Sequence, residues 1–235
     1  MRLPPRLMTI AKFIPTGSVV ADIGTDHAIL PVYLIKQGIS EKVIAGDLNK
    51  GPLEMAEKNV LEAGLLDKIR LRQGNGLEII DAGEVDTVVI AGMGGATIRE
   101  IIENAGGAAH SLKRLVLQPM NDSRRLRQWL VKNGWGIEDE DVVEEDGRLY
   151  EIICAVPGNE KTADMEIVAV GPRLFEKRHP LLIKVIRNEL DNYNRIFLDM
   201  GKSASPKTAL KRREVRQEIE ILERIEKCLL SNARQ

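Results

Sequence analysis

Two cysteines in 235 residues, Cys154 and Cys228, provide neither a disulfide framework nor the spacing of a zinc site. A reducing compartment, the cytoplasm, is the expectation, with no metal bound. Aromatic residues are scarce at 3%. Trp129 and Trp135 flank a single helix-like segment and read as packing residues rather than base-stacking groups. No apolar run approaches the roughly 20 residues that a bilayer requires, so no membrane partner is expected. The start, Met1-Arg2-Leu3-Pro4-Pro5, lacks the apolar core and small-residue cleavage site of a signal peptide. Overall charge is close to balanced at −1, but unevenly spread. Residues 1–155 carry −5, residues 156–235 carry +4, and the stretch 173–216 carries +7. A basic carboxyl-terminal segment on a neutral protein points to a polyanionic partner there, or to a solvated helical surface.

What is present begins with Val19-Val20-Ala21-Asp22-Ile23-Gly24-Thr25-Asp26-His27. An apolar run ends in an acid and a glycine, and a second run, Val43-Ile44-Ala45-Gly46-Asp47, ends in another acid. Two strands separated by one helix length, each closing on a carboxylate, suit a nucleoside cofactor. The spacing predicts a lead-in helix over 3–14, then strands at 18–23, 42–47, 69–71, 86–91 and 114–118. Helices are predicted at about 27–37, from about 51 to Gly64, at 95–104 and at 122–133. Asp26 is placed as N-cap of the helix at 27–37, and Asp122 or Ser123 as N-cap of the one at 122–133. The helix that ends at Gly64 shows Leu53, Ala56, Val60 and Leu61 on one face.

After Gly134 the pattern changes. Residues 135–143 and 148–156 alternate as strands around Glu144-Glu145-Asp146-Gly147, and Asp-Gly is a strong hairpin signal. Alternating βα units closed by an antiparallel hairpin indicate a parallel α/β sheet with one reversed strand, and a seven-stranded, Rossmann-like sheet of this kind is, by fold-level analogy, the usual architecture of class I methyltransferases. That domain is expected to span 1–158. Over 159–235, Leu182, Ile186, Leu190, Tyr193, Phe197 and Met200 recur at helical spacing, and so do Val215, Ile219, Leu222, Ile225 and Leu229. Ser205-Pro206 opens the second run, with Ser205 as N-cap, so the segment reads as an antiparallel coiled-coil hairpin.

The cofactor can be narrowed. A dinucleotide calls for Gly-x-Gly-x-x-Gly and a helix N-terminus for its pyrophosphate. Here the turn has one glycine and an acid, Asp26, that would repel a pyrophosphate. The sulfonium and ammonium groups of S-adenosylmethionine tolerate such an acid. Asp22, Gly24, Thr25 and His27 form the expected turn. Asp47, with Leu48 beside it, is placed to accept from ribose hydroxyls. Asn75 and Gly76 lie where an adenine amino group could be read, and Ala91, Gly92 and Met93 line the methionine side. Two rival classes stay open at this point: an NAD-dependent oxidoreductase, and a non-catalytic RNA-binding module with a vestigial cleft.

The blocks Asp22-Ile23-Gly24-Thr25-Asp26-His27, Ile90-Ala91-Gly92-Met93-Gly94-Gly95 and Gln118-Pro119-Met120-Asn121 resemble the bacterial tRNA adenine-N1 methyltransferase family TrmK. The likeness extends over nearly the whole chain. It implies methylation of N1 of adenine 22 in tRNA, with the basic hairpin matching the family's carboxyl-terminal coiled-coil domain. The Asn/Asp-Pro-Pro-aromatic motif of many amino-group methyltransferases is absent after strand four, where Ala91-Gly92-Met93-Gly94 stands. Asp26 is the candidate catalytic residue, facing the adenine. Lys207, Lys211, Arg212, Arg213 and Arg216 are the candidate phosphate contacts. A monomer or weak dimer is expected.

Overall fold

The computed structural model describes residues 3–200 and 206–231. The chain forms two compact units that part between Ala163 and Asp164. Residues just past 158 stay with the first unit because Glu160 Oε2 accepts from the Ile137 amide at 2.9 Å.

The first unit runs α1 (Pro5–Lys12), β1 (Ser18–Ile23), α2 (Ile29–Lys36), β2 (Ser40–Asp47), α3 (Lys50–Glu62) and β3 (Ile69–Gln73). A 3-10 turn (Gly76–Ile79) precedes β4 (Thr87–Met93), α4 (Gly95–Glu103), α5 (Gly107–Ser111), β5 (Arg114–Pro119), α6 (Ser123–Lys132), β6 (Trp135–Glu145) and β7 (Arg148–Pro157). The seven strands lie in one sheet in the order β3-β2-β1-β4-β5-β7-β6. β1 to β5 are parallel, and β7 runs antiparallel to both β5 and β6. Val20, Ala21, Val88, Val89 and Ile90 are wholly buried, as central strands covered on both faces must be. Strand order reverses between β1 and β4, so their carboxyl ends open a crevice at the switch point. The hairpin turns through Asp146 (φ 50°) and Gly147 (φ 76°), two successive left-handed residues that fit the twist of the strands.

Two expected caps are corrected. α2 begins at Ile29, two residues later than anticipated, and no side chain caps it. His27 (φ 57°) and Ala28 (φ 52°) are both left-handed, so the chain turns away from helical geometry directly after Asp26. Asn59 on α3 holds that turn by donating Nδ2 to the His27 carbonyl at 2.8 Å. At α6 the N-cap residue Asp122 is left-handed and makes no side-chain cap bond, while the Ser123 hydroxyl donates to Glu151 at 2.7 Å instead. Leu61 also departs from its expected face. It is exposed, and α3 buries Ala56 and Val60.

The antiparallel end of the sheet carries a buried ionic cluster. Arg127 of α6 is fully enclosed and donates Nε to Glu140 of β6 at 2.6 Å and Nη2 to Glu151 of β7 at 2.7 Å. Burial opposes the charge on Arg127, but the two carboxylates outweigh it and hold the guanidinium protonated. Removing one partner of such a set costs about 3–5 kcal/mol, because a charge is left unpaired out of water. The cluster pins α6 to both strands of the hairpin and so fixes where β7 places its other face.

The second unit contains α7 (Met165–Val170), α8 (Pro172–Glu176), α9 (Leu182–Met200) and α10 (Pro206–Ser231). The two short helices were not anticipated. Asp164 caps α7 by accepting from the Glu166 and Ile167 amides. α9 and α10 pack together; α9 buries Leu182, Val185, Ile186 and Leu190, and α10 buries Val215, Leu222 and Ile225. Arg187 near the start of α9 pairs with Glu226 near the end of α10, and Phe197 near the end of α9 lies under Arg212, so the helices are antiparallel. Ser205, the expected N-cap, lies outside the described residues. No described helix is long and apolar enough to cross a membrane.

Candidate active site

Two cavities open at the carboxyl ends of the parallel strands, and both are lined by Gly24. Gly24 has φ 74°, and a Cβ there would stand 2.2 Å from Met93 Cε. Its amide and that of Thr25 both donate to the Gly46 carbonyl, at 2.8 and 2.9 Å, tying the turn after β1 to the end of β2.

The first cavity has a volume of about 300 Å³. Its wall follows the chain from strand end to strand end: Ile23 and Gly24, then Gly46 to Asn49, then Gly74 to Glu78, then Met93 and one face of α4. Asp47 Oδ1 accepts from the Asn49 amide at 2.7 Å, which orients the carboxylate at the mouth of β2. Asn75 is exposed beside Glu78, with Nδ2 3.5 Å from Glu78 Oε1. Gly46 and Gly74 allow Ile79 to pack closely from beneath, since a Cβ would lie 2.0 and 2.5 Å from its side chain.

The charge of this wall separates the two cofactors. Among the described residues lining it there is no lysine, arginine or histidine, whereas Asp47, Glu78 and Glu100 supply three carboxylates. A pyrophosphate would meet acids and no countercharge. A ligand with a ribose, an adenine and a cationic tail fits the donor and acceptor set.

The second cavity, about 390 Å³, is lined by Arg6 and Leu7 of α1, Asp22, Gly24, Asp26, Ile29, Leu30, Ala91, Gly92, Met120, Glu145 and Tyr150. Asp22 is the buried acid of this wall. Desolvation pushes its carboxyl up to about 6, against the opposing effects of the Thr25 hydroxyl, which donates to Oδ2 at 2.7 Å, and of the Arg6 charge; nearby Asp26 adds to the rise. Gln118 is wholly buried behind Gly92. Its Oε1 accepts from Arg6 Nη1 at 2.8 Å and from the Gly92 amide at 3.2 Å, and its Nε2 donates to the Pro119 carbonyl at 2.9 Å. Glu145 Oε2 accepts from the Arg6 amide at 2.8 Å, so the hairpin tip satisfies a free N–H of α1's first turn.

The residues anticipated from the sequence divide between the two cavities. Gly24, Asp47, Leu48, Asn75, Gly76 and Met93 line the first, and Asp22, Gly24, Asp26, Ala91 and Gly92 line the second. Thr25 lines neither, being buried with its hydroxyl on Asp22. His27 lines neither, and its Nε2 lies 3.0 Å from Asp26 Oδ1. Sequence reasoning missed Thr97, Glu100, Ile101 and Asn104 in the first cavity. Their i, i+3, i+4, i+7 spacing on the helix after the glycine turn is the signal that could have found them. It also missed Arg6, Glu145 and Tyr150 in the second, and no local signal marks these.

In the second unit Lys211, Arg212, Arg213 and Arg216 are all exposed. Arg212 lies 4.4 Å from the centre of the Phe197 ring, and Arg216 Nε lies 3.2 Å from Glu220. The Lys207 side chain lies outside the described residues. Among the described residues no group of three His, Cys, Asp or Glu side chains is placed to hold a metal ion.

Comparison with known proteins adds to this geometry. Residues 20–224 match the family model TrmK, tRNA (adenine(22)-N(1))-methyltransferase. The tRNA (adenine(22)-N(1))-methyltransferase of Bacillus subtilis is 36% identical over 96% of this chain and 97% of its own. The crystal structure of the B. subtilis TrmK superimposes with a TM-score of 0.89 at 35% identity, covering 96% of this chain and 99% of that one. A putative tRNA (m1A22) methyltransferase of Streptococcus pneumoniae, solved in complex with S-adenosyl-L-methionine, gives a TM-score of 0.84 at 31% identity over 96% of this chain and all of that one.

Proposed function

The chain belongs to the TrmK family of tRNA (adenine(22)-N(1))-methyltransferases, and on that premise we propose how its residues share the reaction. The enzyme methylates N1 of adenine 22 in tRNA, using S-adenosylmethionine. The observation that carries the division of labour is the pair of cavities joined at Gly24, the first walled by acids without a cation and the second by Asp22, Asp26 and Glu145 together with Arg6.

When bound, S-adenosylmethionine supplies an electrophilic methyl group on a sulfonium centre. The first cavity holds it: Asp47 accepts from the ribose hydroxyls, Asn75 reads the adenine edge, and Gly24 and Met93 bound the methionine side. Asp22 is buried next to Gly24 and offers a countercharge to a cationic ligand.

The second cavity takes the target base. N1 of adenine has its own lone pair, so no residue needs to remove a proton before attack. The chain's task is alignment, which lowers barriers by several kcal/mol. Alkylation leaves the ring cationic, and the Asp26 carboxylate, with Asp22 and Glu145 on the same wall, stabilises the charge as it develops. An acid is also a good acceptor for the adenine amino group and a poor neighbour for the guanine carbonyl. Because N1 lies on the Watson–Crick edge, the base must be extruded or unpaired.

The second unit contributes phosphate contacts from α10, in a hairpin of coiled-coil character. Lys207, Lys211, Arg212, Arg213 and Arg216 track the tRNA backbone by charge rather than by sequence. Methyl incorporation into unmodified tRNA, followed by nucleoside analysis, should yield 1-methyladenosine, and replacing adenine 22 by guanine should abolish it. Replacing Lys211 and Arg213 together by Ala should flatten the dependence of tRNA affinity on salt by a slope of about 1 to 2. An unchanged slope would remove the hairpin from the RNA interface.

A further inference from the structure

Of the eight aromatic residues in the chain, Tyr150 lines the second cavity. Its position is set by the sheet. Side chains alternate along β7, so Tyr150 shares a face with Ile152 and Cys154, while Glu151 points to the other face, where Arg127 and Ser123 of α6 hold it. Tyr150 is therefore aimed by a neighbour whose own carboxylate is fixed. The β6 pairing sets Tyr150 opposite Val143, two pairs from the Asp146-Gly147 turn, which brings it to the rim beyond the end of β5.

The ring is half-buried, and Arg6 lies against it with its guanidinium 5.5 Å from the ring centre. Arg6 is itself fixed at both ends, by the Glu145 carboxylate on its amide and by the Gln118 carbonyl oxygen on Nη1. Gln118 in turn holds the Gly92 amide, so the group that orients the ring also orients the backbone at the carboxyl end of β4. A planar phenol, steadied by a planar cation, borders a cavity whose remaining walls are aliphatic or acidic. An extruded base gains most from a π face, since stacking tolerates any base and needs no hydrogen-bond register.

We propose that Tyr150 is the stacking platform for the target adenine and that Arg6 is the positioning residue that sets the plane of its ring. The proposal rests on the assignment of the second cavity to the target base. It adds what holds that base in plane while Asp26 meets its edge, and it explains the tie from the hairpin tip to α1: Glu145 fixes Arg6, and Arg6 fixes the ring.

The test uses the full chain and unmodified tRNA, with single-turnover methylation measured at saturating S-adenosylmethionine and tRNA. Tyr150→Phe keeps the π face and should methylate within about twofold of the wild type. Tyr150→Leu keeps bulk without a π face and should be slower by roughly 10- to 100-fold, the range of base–aromatic stacking. Its thermal midpoint and S-adenosylmethionine affinity should stay at wild-type values. Arg6→Met should slow the step severalfold, with the decrease equal at low and high salt, because the arginine steadies a ring and does not bind a phosphate. A Leu variant as fast as the wild type overturns the proposal. So does a Phe variant as slow as the Leu variant, since the hydroxyl and not the ring would then be at work. A wild-type chain that leaves position 22 unmethylated would instead bring down the functional assignment itself.

Discussion

Where the first cavity is walled by turns that succeed one another along the chain, the second is closed by side chains brought from its distant parts. The first takes residues from the ends of β1, β2, β3 and β4 in order, with glycines where the backbone must come close. The second needs α1 from the beginning of the chain and the β6–β7 hairpin from the end of the sheet, and Arg6 and Glu145, 139 residues apart, share a hydrogen bond across it. A parallel sheet with a switch point offers a crevice of the first kind whatever its reaction. The second kind is what this chain adds to that crevice, so the specificity for the acceptor should be carried there and the affinity for the donor in the first.

The change that should damage both at once is at their shared residue. Gly24→Val puts a β-branched side chain at φ 74° and aims its Cβ at Met93 Cε. The turn would have to leave the left-handed region, breaking the pair of bonds to the Gly46 carbonyl. Expected are a loss of S-adenosylmethionine binding by calorimetry of at least about 100-fold and a comparable loss of methylation, on a strain of order 1–3 kcal/mol plus the broken hydrogen bonds. Retained cofactor affinity with lost methylation would show that the cavities are separable at Gly24.

Asp22, which lines the second cavity beside the shared Gly24, gives a smaller effect. Its carboxyl sits at about 6 in the folded chain against 3.8 for the free group, so the folded state binds this proton more tightly than the unfolded one. The contribution to stability is therefore greatest below about pH 4 and declines as pH rises from about 4 to about 6. A displacement of about two pH units corresponds to roughly 3 kcal/mol. Denaturant unfolding of wild type and Asp22→Asn across that window should show the gap between the two curves moving in favour of the variant as pH rises. Arg6, Asp26 and Glu145 line the same space and the Thr25 hydroxyl donates to Asp22, and parallel curves would mean that Arg6 and Thr25 already offset the cost of burying the charge. A cationic ligand at Gly24 should favour ionised Asp22, so wild-type affinity for S-adenosylmethionine should tighten over the same interval.

How far each cavity could be read beforehand depends on how it is built. The strand ends were legible because a buried parallel strand is a short apolar run, and the residues next along the chain are also its neighbours in space. Hence Gly24, Asp47, Asn75 and Met93 were found together. Thr97 on α4 and Asn104 just past its end were readable from their helical spacing, but the glycine turn before them carries the stronger signal and masked them. Arg6, Gln118 and Tyr150 were beyond it. Arg6 stands in an ordinary basic and apolar stretch, Gln118 reads as the last residue of a buried strand, and Tyr150 as one member of an alternating hairpin. Only the pairing of β7 with β5, and the packing of α1 across them, brings Arg6 and Tyr150 to one wall with Gln118 behind it. The buried Arg127–Glu140–Glu151 cluster was hidden likewise, because charged residues on a helix and a strand read as solvated faces until tertiary structure encloses them. The failed caps at Asp26 and Asp122 have a common cause. In both places the chain turns left-handed just past a strand's end, at His27 and Ala28 and at Asp122, and that backbone geometry overrides the local preference for capping.

The sharpest separation of the two cavities comes from the smallest expected change. Asp26 is 84% exposed, takes no part in capping α2 and has His27 Nε2 3.0 Å away, so removing its carboxylate should disturb the fold little. Screening by water limits what such a charge can contribute before the base closes over it. Asp26→Ala should then lower turnover by about tenfold while leaving S-adenosylmethionine affinity and thermal midpoint at wild-type values, an effect confined to the acceptor side. Asp26→Asn should recover part of the loss if the group acts through a hydrogen bond to the adenine amine, and none of it if the developing ring charge is what it opposes. If calorimetry shows cofactor affinity falling with turnover, Asp26 belongs to the donor site, and the boundary between the two cavities runs on the other side of the turn after β1.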